Sequence, residues 1–460
     1  MPFSPTDWTS PQHRRSVIWI VALATAALAF DGYDLVVYGT ILPILMDDQT
    51  QLGAVSAEQA GVLGSYALIG VLIGALLAGA FGDRIGRRKL TVISIAWFSV
   101  GMAAAAMTHS VPMFGAMRLL TGIGVGALIA TAGAVVAEFA PAGKKNAYNA
   151  IVYCGVPLGG VMASLLALLV RDAIGWRGLF WIGALPLVVL LPLALAKLPE
   201  SPRWLVARGR IDEAHAITAR TGIPSPTVEE LAAEELIADP TGDRKVGFAA
   251  LTTRRYALGT ALLGFMSFAG ILLTYGLNTW LPKIMENAGF DAKNSLAFLL
   301  VLNGGAIIGV VLASRLADRT GRPQRIIVGT FLLAVVALVV LTLGFPLPVL
   351  LAAVAAAGIG GIGTQILIYG FVSNYYSTTS RAAGVAWCAG FGRLGGIFGP
   401  LAGGLIIGAG LSSSIAFYIF AGVALVGASL TMLVATRRAP LTPVTGGTHR
   451  APEPVAATVD

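Results

Sequence analysis

Charge and cysteine are scarce in this chain of 460 residues. Only 12% of the residues are charged, 56% are hydrophobic, and the mean hydropathy is +0.80. This composition excludes an ordinary soluble enzyme and indicates a polytopic membrane protein. Both cysteines, Cys154 and Cys388, fall inside apolar stretches, which argues against a disulfide framework. We therefore expect neither disulfides nor a metal site.

Motifs for nucleotides and for covalent chemistry are also missing. The polar regions contain no G-x-x-x-x-G-K-[ST] loop, so transport driven by ATP hydrolysis is not indicated. No nucleophile and base set suggests an enzyme, and no cofactor is expected beyond a proton as coupling ion. The net charge of +8 reflects membrane topology and does not indicate a nucleic-acid partner. The expected partners are the lipid bilayer and a small-molecule substrate.

Long apolar runs dominate what is present. Runs of about 20 residues are long enough to cross a bilayer as helices. They predict an all-α membrane protein with twelve transmembrane helices, called here spans one to twelve. The predicted spans are 17–45, 60–81, 90–109, 112–138, 147–170, 178–197, 257–284, 296–316, 325–344, 347–373, 382–408 and 414–436.

One long polar interval divides these spans six and six. We predict an N-terminal segment (1–16), a six-helix bundle (17–197), a central loop (198–256), a second bundle (257–436) and a disordered tail (437–460). Ile211 to Thr221 and Val228 to Ala238 within the loop are compatible with short amphipathic helices.

Basic residues orient the predicted spans. With both termini inside, most of the 31 lysines and arginines fall in cytoplasmic segments, whereas Arg171, Arg177, Lys283 and Lys293 fall outside. This bias follows the positive-inside rule. The sequence therefore predicts cytoplasmic termini in a bacterial inner membrane.

An internal repeat relates the two halves. The segment 82–88, which follows span two, recurs at 317–323 after span eight. Cys154 with Gly159-Gly160 in span five recurs as Cys388 with Gly395-Gly396 in span eleven. Both pairs are separated by about 235 residues. Because six spans separate the copies, the repeat predicts two six-helix bundles arranged as parallel repeats.

Two aspartates interrupt span one. Asp31 and Asp34 are spaced i, i+3, so they project from one helix face, and carboxylates inside a membrane are usually functional. A rise of about 1.5 Å per residue puts Asp34 at a depth similar to that of Arg118 in span four. Protonation of Asp34 would then release Arg118, which predicts proton coupling by Asp31, Asp34 and Arg118. A static salt bridge between two helices is the alternative.

A second arginine predicts a substrate site. Arg393 lies in span eleven, about 16 Å from its inner end and thus near the midplane, where transporter sites lie. Its guanidinium suits a carboxylate ligand, although an internal pair with Asp31 or Asp34 is the alternative. A ring-bearing substrate would also need aromatic walls and polar groups. The candidates within the spans are Tyr33, Tyr38, Tyr369, Trp387, Asn278, Asn303 and Gln365.

At these motifs the chain resembles the major facilitator superfamily of secondary transporters. Gly82-Asp83-Arg84-Ile85-Gly86-Arg87-Arg88 matches the family's most specific signature, and Asp31-Gly32-Tyr33-Asp34 resembles the first-span motif of the aromatic acid/proton symporter branch. The resemblance implies the major facilitator fold and a gating role for the two repeated loops. The gating candidates are Gly82, Asp83, Arg84, Gly86, Arg87, Arg88, Glu138, Asp318, Arg319, Gly321 and Arg322. Enforcement of topology alone is the alternative for the arginines.

The resemblance further implies a function. It predicts a monomeric, proton-coupled importer of a small aromatic carboxylate, such as a hydroxybenzoate or benzoate, that works by alternating access. Three alternatives stay open: a proton-driven exporter of aromatic or amphiphilic compounds, a symporter of another organic anion, and a membrane chemosensor. The segment 154–160 partly resembles a drug/proton antiporter motif, which keeps export open.

Overall fold

The computed structural model describes residues 10–140, 145–230, 248–254, 256–376 and 378–434. Regular structure in these ranges is helical, and eleven of the helices are long and apolar enough to cross a membrane. The predicted tail and most of the second loop helix lie outside the described residues. The first loop helix is present at Ile211–Thr221, as predicted.

The N-terminal half supplies spans one to six. A glycine break separates the fifth from the sixth, because Gly175 has a φ of 68° inside an otherwise continuous helical stretch. A 3-10 turn at Leu185–Leu187 interrupts the sixth span again. The helices of this half are Pro11–Asp47, Ala57–Ile85, Arg87–Ala106, Val111–Phe139, Lys145–Tyr153, Gly155–Gly183 and Leu190–Lys197.

The C-terminal half repeats the plan with spans seven to twelve. Its tenth span is divided into two helices at Gly361, which caps both. The helices are Ala257–Asn287, Ala292–Thr320, Pro323–Val340, Leu347–Gly360, Ile362–Tyr375, Thr378–Gly408 and Ser413–Leu433, and the short loop helices are Pro202–Ala207 and Phe248–Leu251. The predicted boundaries agree with these bounds to within about six residues, except between spans five and six, where Gly155–Gly183 runs across the predicted gap apart from the break at Gly175.

Equivalent glycines bring equivalent helices together in the two halves. A Cβ added to Gly159 of span five would collide with the main-chain oxygen of Ala29 in span one. A Cβ added to Gly395 of span eleven would collide in the same way with Phe268 in span seven. Small residues allow such close approach of membrane helices. The repeat read from the sequence is therefore also a repeat of helix packing.

The two halves are joined at one end of the molecule. We call the end that carries loop 82–88 the basic end and the opposite end the far end. At the far end, the Ser65 hydroxyl of span two donates to the carbonyl of Ile397 in span eleven at 2.7 Å. Gly64 lies against Pro400 nearby. Among described residues, the hydrogen bonds and ion pairs between halves lie at the far end or at mid-depth, so the far end is closed.

Candidate functional site

A cavity at mid-depth collects the charged residues of the N-terminal half. Asp31, Asp34 and Arg118 line it, together with Tyr38 of span one and Tyr275 of span seven. Both aspartates and Arg118 are buried, each less than 5% exposed. The i, i+3 spacing therefore places both carboxylates at one cavity, which now includes a side chain of the C-terminal half.

Asp34 and Arg118 form a buried ion pair. Arg118 Nη1 lies 2.5 Å from Asp34 Oδ1, and the guanidinium lies 5.0 Å from the ring centroid of Tyr38. The Tyr38 hydroxyl donates to the Ala60 carbonyl at 2.6 Å, which fixes that ring. The contact that equal depth predicted is present. Its part in proton coupling stays a prediction.

Asp31 and Arg393, unlike Asp34 and Arg118, do not form an ion pair. The Asp31 carboxylate is buried, yet no described residue makes a hydrogen bond or ion pair with it. Arg393 is close enough to act on Asp31 electrostatically, but its Nη1 donates to the carbonyl of Val71 in span two at 3.0 Å. Val71 also lines the cavity. Arg393 thus reaches across from the C-terminal half, and an ion pair with a described aspartate is not formed.

A polar group of the C-terminal half lies beside Arg393. Gln365 Nε2 of span ten donates to the Ser267 hydroxyl of span seven at 3.0 Å. Ser267 packs on Gly392, the residue that precedes Arg393. Tyr369, one turn after Gln365, is also within electrostatic range of Arg393. Two predicted substrate residues, Gln365 and Tyr369, are therefore brought together with Arg393.

Tyr33, although predicted as a substrate residue, is in a packing position. Its side chain is fully buried, and its hydroxyl donates to the carbonyl of Leu179 at 2.7 Å. The aromatic ring therefore fills the interior of the N-terminal half, and the structure does not place it on the cavity.

The other predicted polar and aromatic residues are also satisfied by protein groups. Asn303 Nδ2 donates to Asn278 Oδ1 at 2.9 Å, and Asn278 Nδ2 donates to the Thr274 carbonyl at 2.8 Å. Trp387 Nε1 donates to the Thr260 carbonyl at 2.9 Å. These contacts hold helices together, so the structure gives no direct support for substrate contact by Asn278, Asn303 or Trp387.

The 82–88 loop ties together four helices of its own half. Arg87 Nε lies 2.9 Å from Glu138 Oε1 at the end of span four, the partner that the sequence suggested. The main-chain N–H of Arg88 donates to Glu200 at 3.0 Å, and the Arg88 side chain donates to the Leu195 carbonyl at 2.6 Å. Gly86, with a φ of 96°, ends span two so closely against Glu200 that a side chain would collide.

The repeated loop in the C-terminal half is more open. Gly321 ends span eight with a φ of 61°, in the same role as Gly86, and nothing lies near its Cα. Arg319 and Arg322 are exposed, as is Arg84 of the first loop. The side chains of Asp83 and Asp318 lie outside the described part of the chain. Gating by either loop stays a prediction.

Sequence reasoning missed residues that join the halves. Lys283 Nζ of span seven lies 2.7 Å and 2.8 Å from the two carboxylate oxygens of Asp47 at the end of span one. From the sequence alone, Lys283 is only one of the four basic residues predicted to lie on the outer side. A sequence signal could have identified this pair. Spans one and seven are equivalent in the internal repeat, and their equivalent ends carry opposite charges.

Comparison with known proteins decides the family. The family model described as Major Facilitator Superfamily matches residues 23–382. The chain belongs to the Major Facilitator Superfamily. Like other members of this family it is a transporter and not an enzyme, as the sequence predicted.

Curated relatives of this superfamily member are transporters of aromatic acids by name. The chain is 31% identical over 434 residues to the benzoate transport protein of Acinetobacter baylyi, covering 93% of this chain and 91% of that protein. It is 33% identical over 402 residues to the gentisate transporter of Corynebacterium glutamicum, covering 87% and 83%. The predicted aromatic acid branch is thereby confirmed.

The fold is also that of a solved superfamily structure. The inward open conformation of the xylose transporter XylE from E. coli superposes with a TM-score of 0.73, at 19% identity, over 92% of this chain and 98% of that one. The predicted twelve-helix major facilitator fold is confirmed.

Proposed function

We propose that this chain imports a small aromatic carboxylate together with protons, by alternating access of its two halves. One observation carries the proposal: buried Asp31 and Asp34 line one cavity, and Arg393 of the other half donates to the carbonyl of Val71, which lines the same cavity. A substrate carboxylate held by Arg393 would displace the Val71 carbonyl and form a bidentate ion pair. The proton and the substrate would then act on the same interface between halves.

The substrate class follows from the relatives, whose names include benzoate, gentisate, gallate and 4-hydroxybenzoate. Tyr369 and Tyr275 supply aromatic surface near Arg393. The protein is proposed to act as a monomer, with the proton as its only coupling agent.

In the proposed orientation the basic end faces the cytoplasm of a bacterium and the far end faces outward. The placement of basic residues supports it, because lysine and arginine concentrate in cytoplasmic loops. The structure, closed at the far end, then corresponds to a state in which substrate cannot enter from outside. The Asp47–Lys283 pair is proposed to break when the outer entrance opens.

Asp31 is proposed as the proton acceptor and Arg118 as the group that responds to Asp34. Asp31 has no hydrogen-bond or ion-pair partner among described residues, whereas Asp34 is held by Arg118. Protonation of Asp31 would therefore break no ion pair, whereas protonation of Asp34 would release Arg118. Substrate binding at Arg393 would remove a nearby positive charge and favour protonation of Asp31.

The first test uses purified protein in liposomes with labelled benzoate, 4-hydroxybenzoate and a sugar. With an inward proton gradient we expect accumulation of an aromatic acid that a protonophore abolishes. No uptake of either acid, or uptake that a protonophore leaves unchanged, would contradict the proposal. Efflux driven by the opposite gradient would instead identify an exporter.

The second test assigns the proton acceptor. Asp31→Asn should abolish gradient-driven accumulation and retain exchange of labelled for unlabelled substrate, because exchange requires no net proton movement. A matched control is Asp172→Asn, which alters an exposed aspartate at the far end. Gradient-driven accumulation by Asp31→Asn would reject the role of Asp31.

A further inference from the structure

One acceptor beside Arg393 is left without a partner. Gln365 Oε1 is buried and makes no hydrogen bond, while Nε2 of the same amide is held by Ser267. The Tyr369 hydroxyl lies within reach of the Gln365 side chain, and Oε1 is nevertheless left unpaired. A buried acceptor without a donor costs free energy, so such an atom calls for a donor supplied from elsewhere.

The Gln365 amide lies close to Arg393, the proposed binding site of the substrate carboxylate. Ser267, which orients Gln365, packs on Gly392, and Arg393 follows in the same helix. A Cβ at Gly270, one turn after Ser267, would lie 2.7 Å from Oε1, so glycine leaves room for the amide. The amide is thereby held between span ten, which also carries Tyr369, and span seven, which packs on span eleven next to Arg393.

We propose that Gln365 Oε1 accepts a hydrogen bond from a ring hydroxyl of the substrate and so makes Gln365 a specificity-determining residue. This inference rests on the proposed function, because it needs an aromatic acid whose carboxylate is held at Arg393. A hydroxylated acid satisfies the buried acceptor. Benzoate leaves it unpaired, and sites that hydrogen-bond a substrate hydroxyl discriminate strongly against analogues without it.

The test compares ligand affinities of purified full-length protein in nanodiscs. The ligands are benzoate, 3-hydroxybenzoate and 4-hydroxybenzoate, and the readout is the ratio of the benzoate Kd to the lower hydroxybenzoate Kd. We expect a ratio of about ten or more for the unaltered protein, as expected for one buried hydrogen bond. In Gln365→Leu the ratio should fall toward one, because no acceptor remains.

A matched control is Gln324→Leu. Gln324 Nε2 donates to the carbonyls of Thr431 and Val434, away from the cavity. This substitution therefore removes an amide and should leave the ratio of the benzoate Kd to the hydroxybenzoate Kd unchanged. Gln365→Met, which keeps the length of the side chain, replaces Gln365→Leu if the leucine variant does not fold.

The outcomes separate the inference from the function. A ratio near one in the unaltered protein, or an unchanged ratio in the Gln365 variants, overturns the role of Gln365 and leaves aromatic acid transport standing. A ratio that falls equally in Gln324→Leu also overturns it. Binding of neither acid class by the unaltered protein overturns both proposals.

Discussion

Lys283 of span seven binds both carboxylate oxygens of Asp47 of span one, at 2.7 Å and 2.8 Å. The Asp47 side chain is 63% exposed and that of Lys283 is 11% exposed. The pair thus lies at the surface of the far end and joins the two halves. An exposed ion pair contributes only about 0.2–1 kcal/mol, which suits a contact that must break during each cycle.

Lys283→Met should therefore raise the population with an open far end by about 1.4- to fivefold, which corresponds to that free energy. The measurement is the labelling rate of Thr279→Cys, a cavity residue, by an impermeant thiol reagent applied to intact cells. Cys154 and Cys388 are replaced by alanine beforehand. Lys293→Met, at an exposed lysine of the far end, is the control, and equal labelling in both variants would reject the gate.

The Asp34–Arg118 pair should be costly to break. Arg118→Leu leaves a buried carboxylate without its partner, and we expect it to destabilise the folded protein by about 3–5 kcal/mol. Replacing both residues by leucine should recover much of this loss. Thermal unfolding in detergent measures the four members of the cycle, and strictly additive effects would show that the residues do not interact. Arg210→Leu, which breaks the exposed pair with Glu213, should leave the melting temperature nearly unchanged.

Two glycines of span one should respond differently to alanine. A Cβ at Gly39 would collide with the Asn278 carbonyl of the other half, whereas a Cβ at Gly32 would collide with Val156 of the same half. Gly39→Ala should therefore increase labelling of Thr279→Cys from the far end. Gly32→Ala should lower the melting temperature without that increase. The interpretation is wrong if both variants change labelling equally.

The two loop glycines provide a matched stability test. Gly86→Ala places a Cβ against Glu200 at a φ of 96°, whereas Gly321→Ala meets nothing within 4 Å at a φ of 61°. The strain of a left-handed backbone costs about 1–2 kcal/mol in Gly321→Ala. It costs more in Gly86→Ala, because a φ of 96° with a ψ of 155° is a conformation that essentially only glycine adopts. Gly86→Ala should cost more, because it also displaces the carboxylate that accepts from Arg88. Equal melting temperatures would exclude a stabilising role for the Glu200 contact.

The repeat explains why so much of the fold was predictable. Each span is a local property of about 20 residues, and the duplicated loops and glycines fixed the correspondence between halves. The least predictable span was the sixth, where Gly175 and the turn at Leu185–Leu187 break the helix. Periodicity and hydropathy do not register such breaks.

The candidate site was predictable only in part. Depth alone placed Asp34 beside Arg118, because the rise per residue gives the depth of each position along its helix. Depth does not specify rotation about the helix axis. Tyr33 faces the interior of its own half, and Asn278 pairs with Asn303, although all three lie within spans.

The sequence by itself determined the membrane class, the twelve spans, the repeat and the identity of the buried charges, since these depend on local composition and spacing. Only the tertiary structure decided which of these residues meet. Two contacts, Asp47 with Lys283 and Arg393 with Val71, join segments that are far apart in the chain. The packing of distant segments also leaves the Gln365 oxygen unpaired. Their contacts depend on how two separately folded helix bundles are rotated and docked, and no local pattern carries that information.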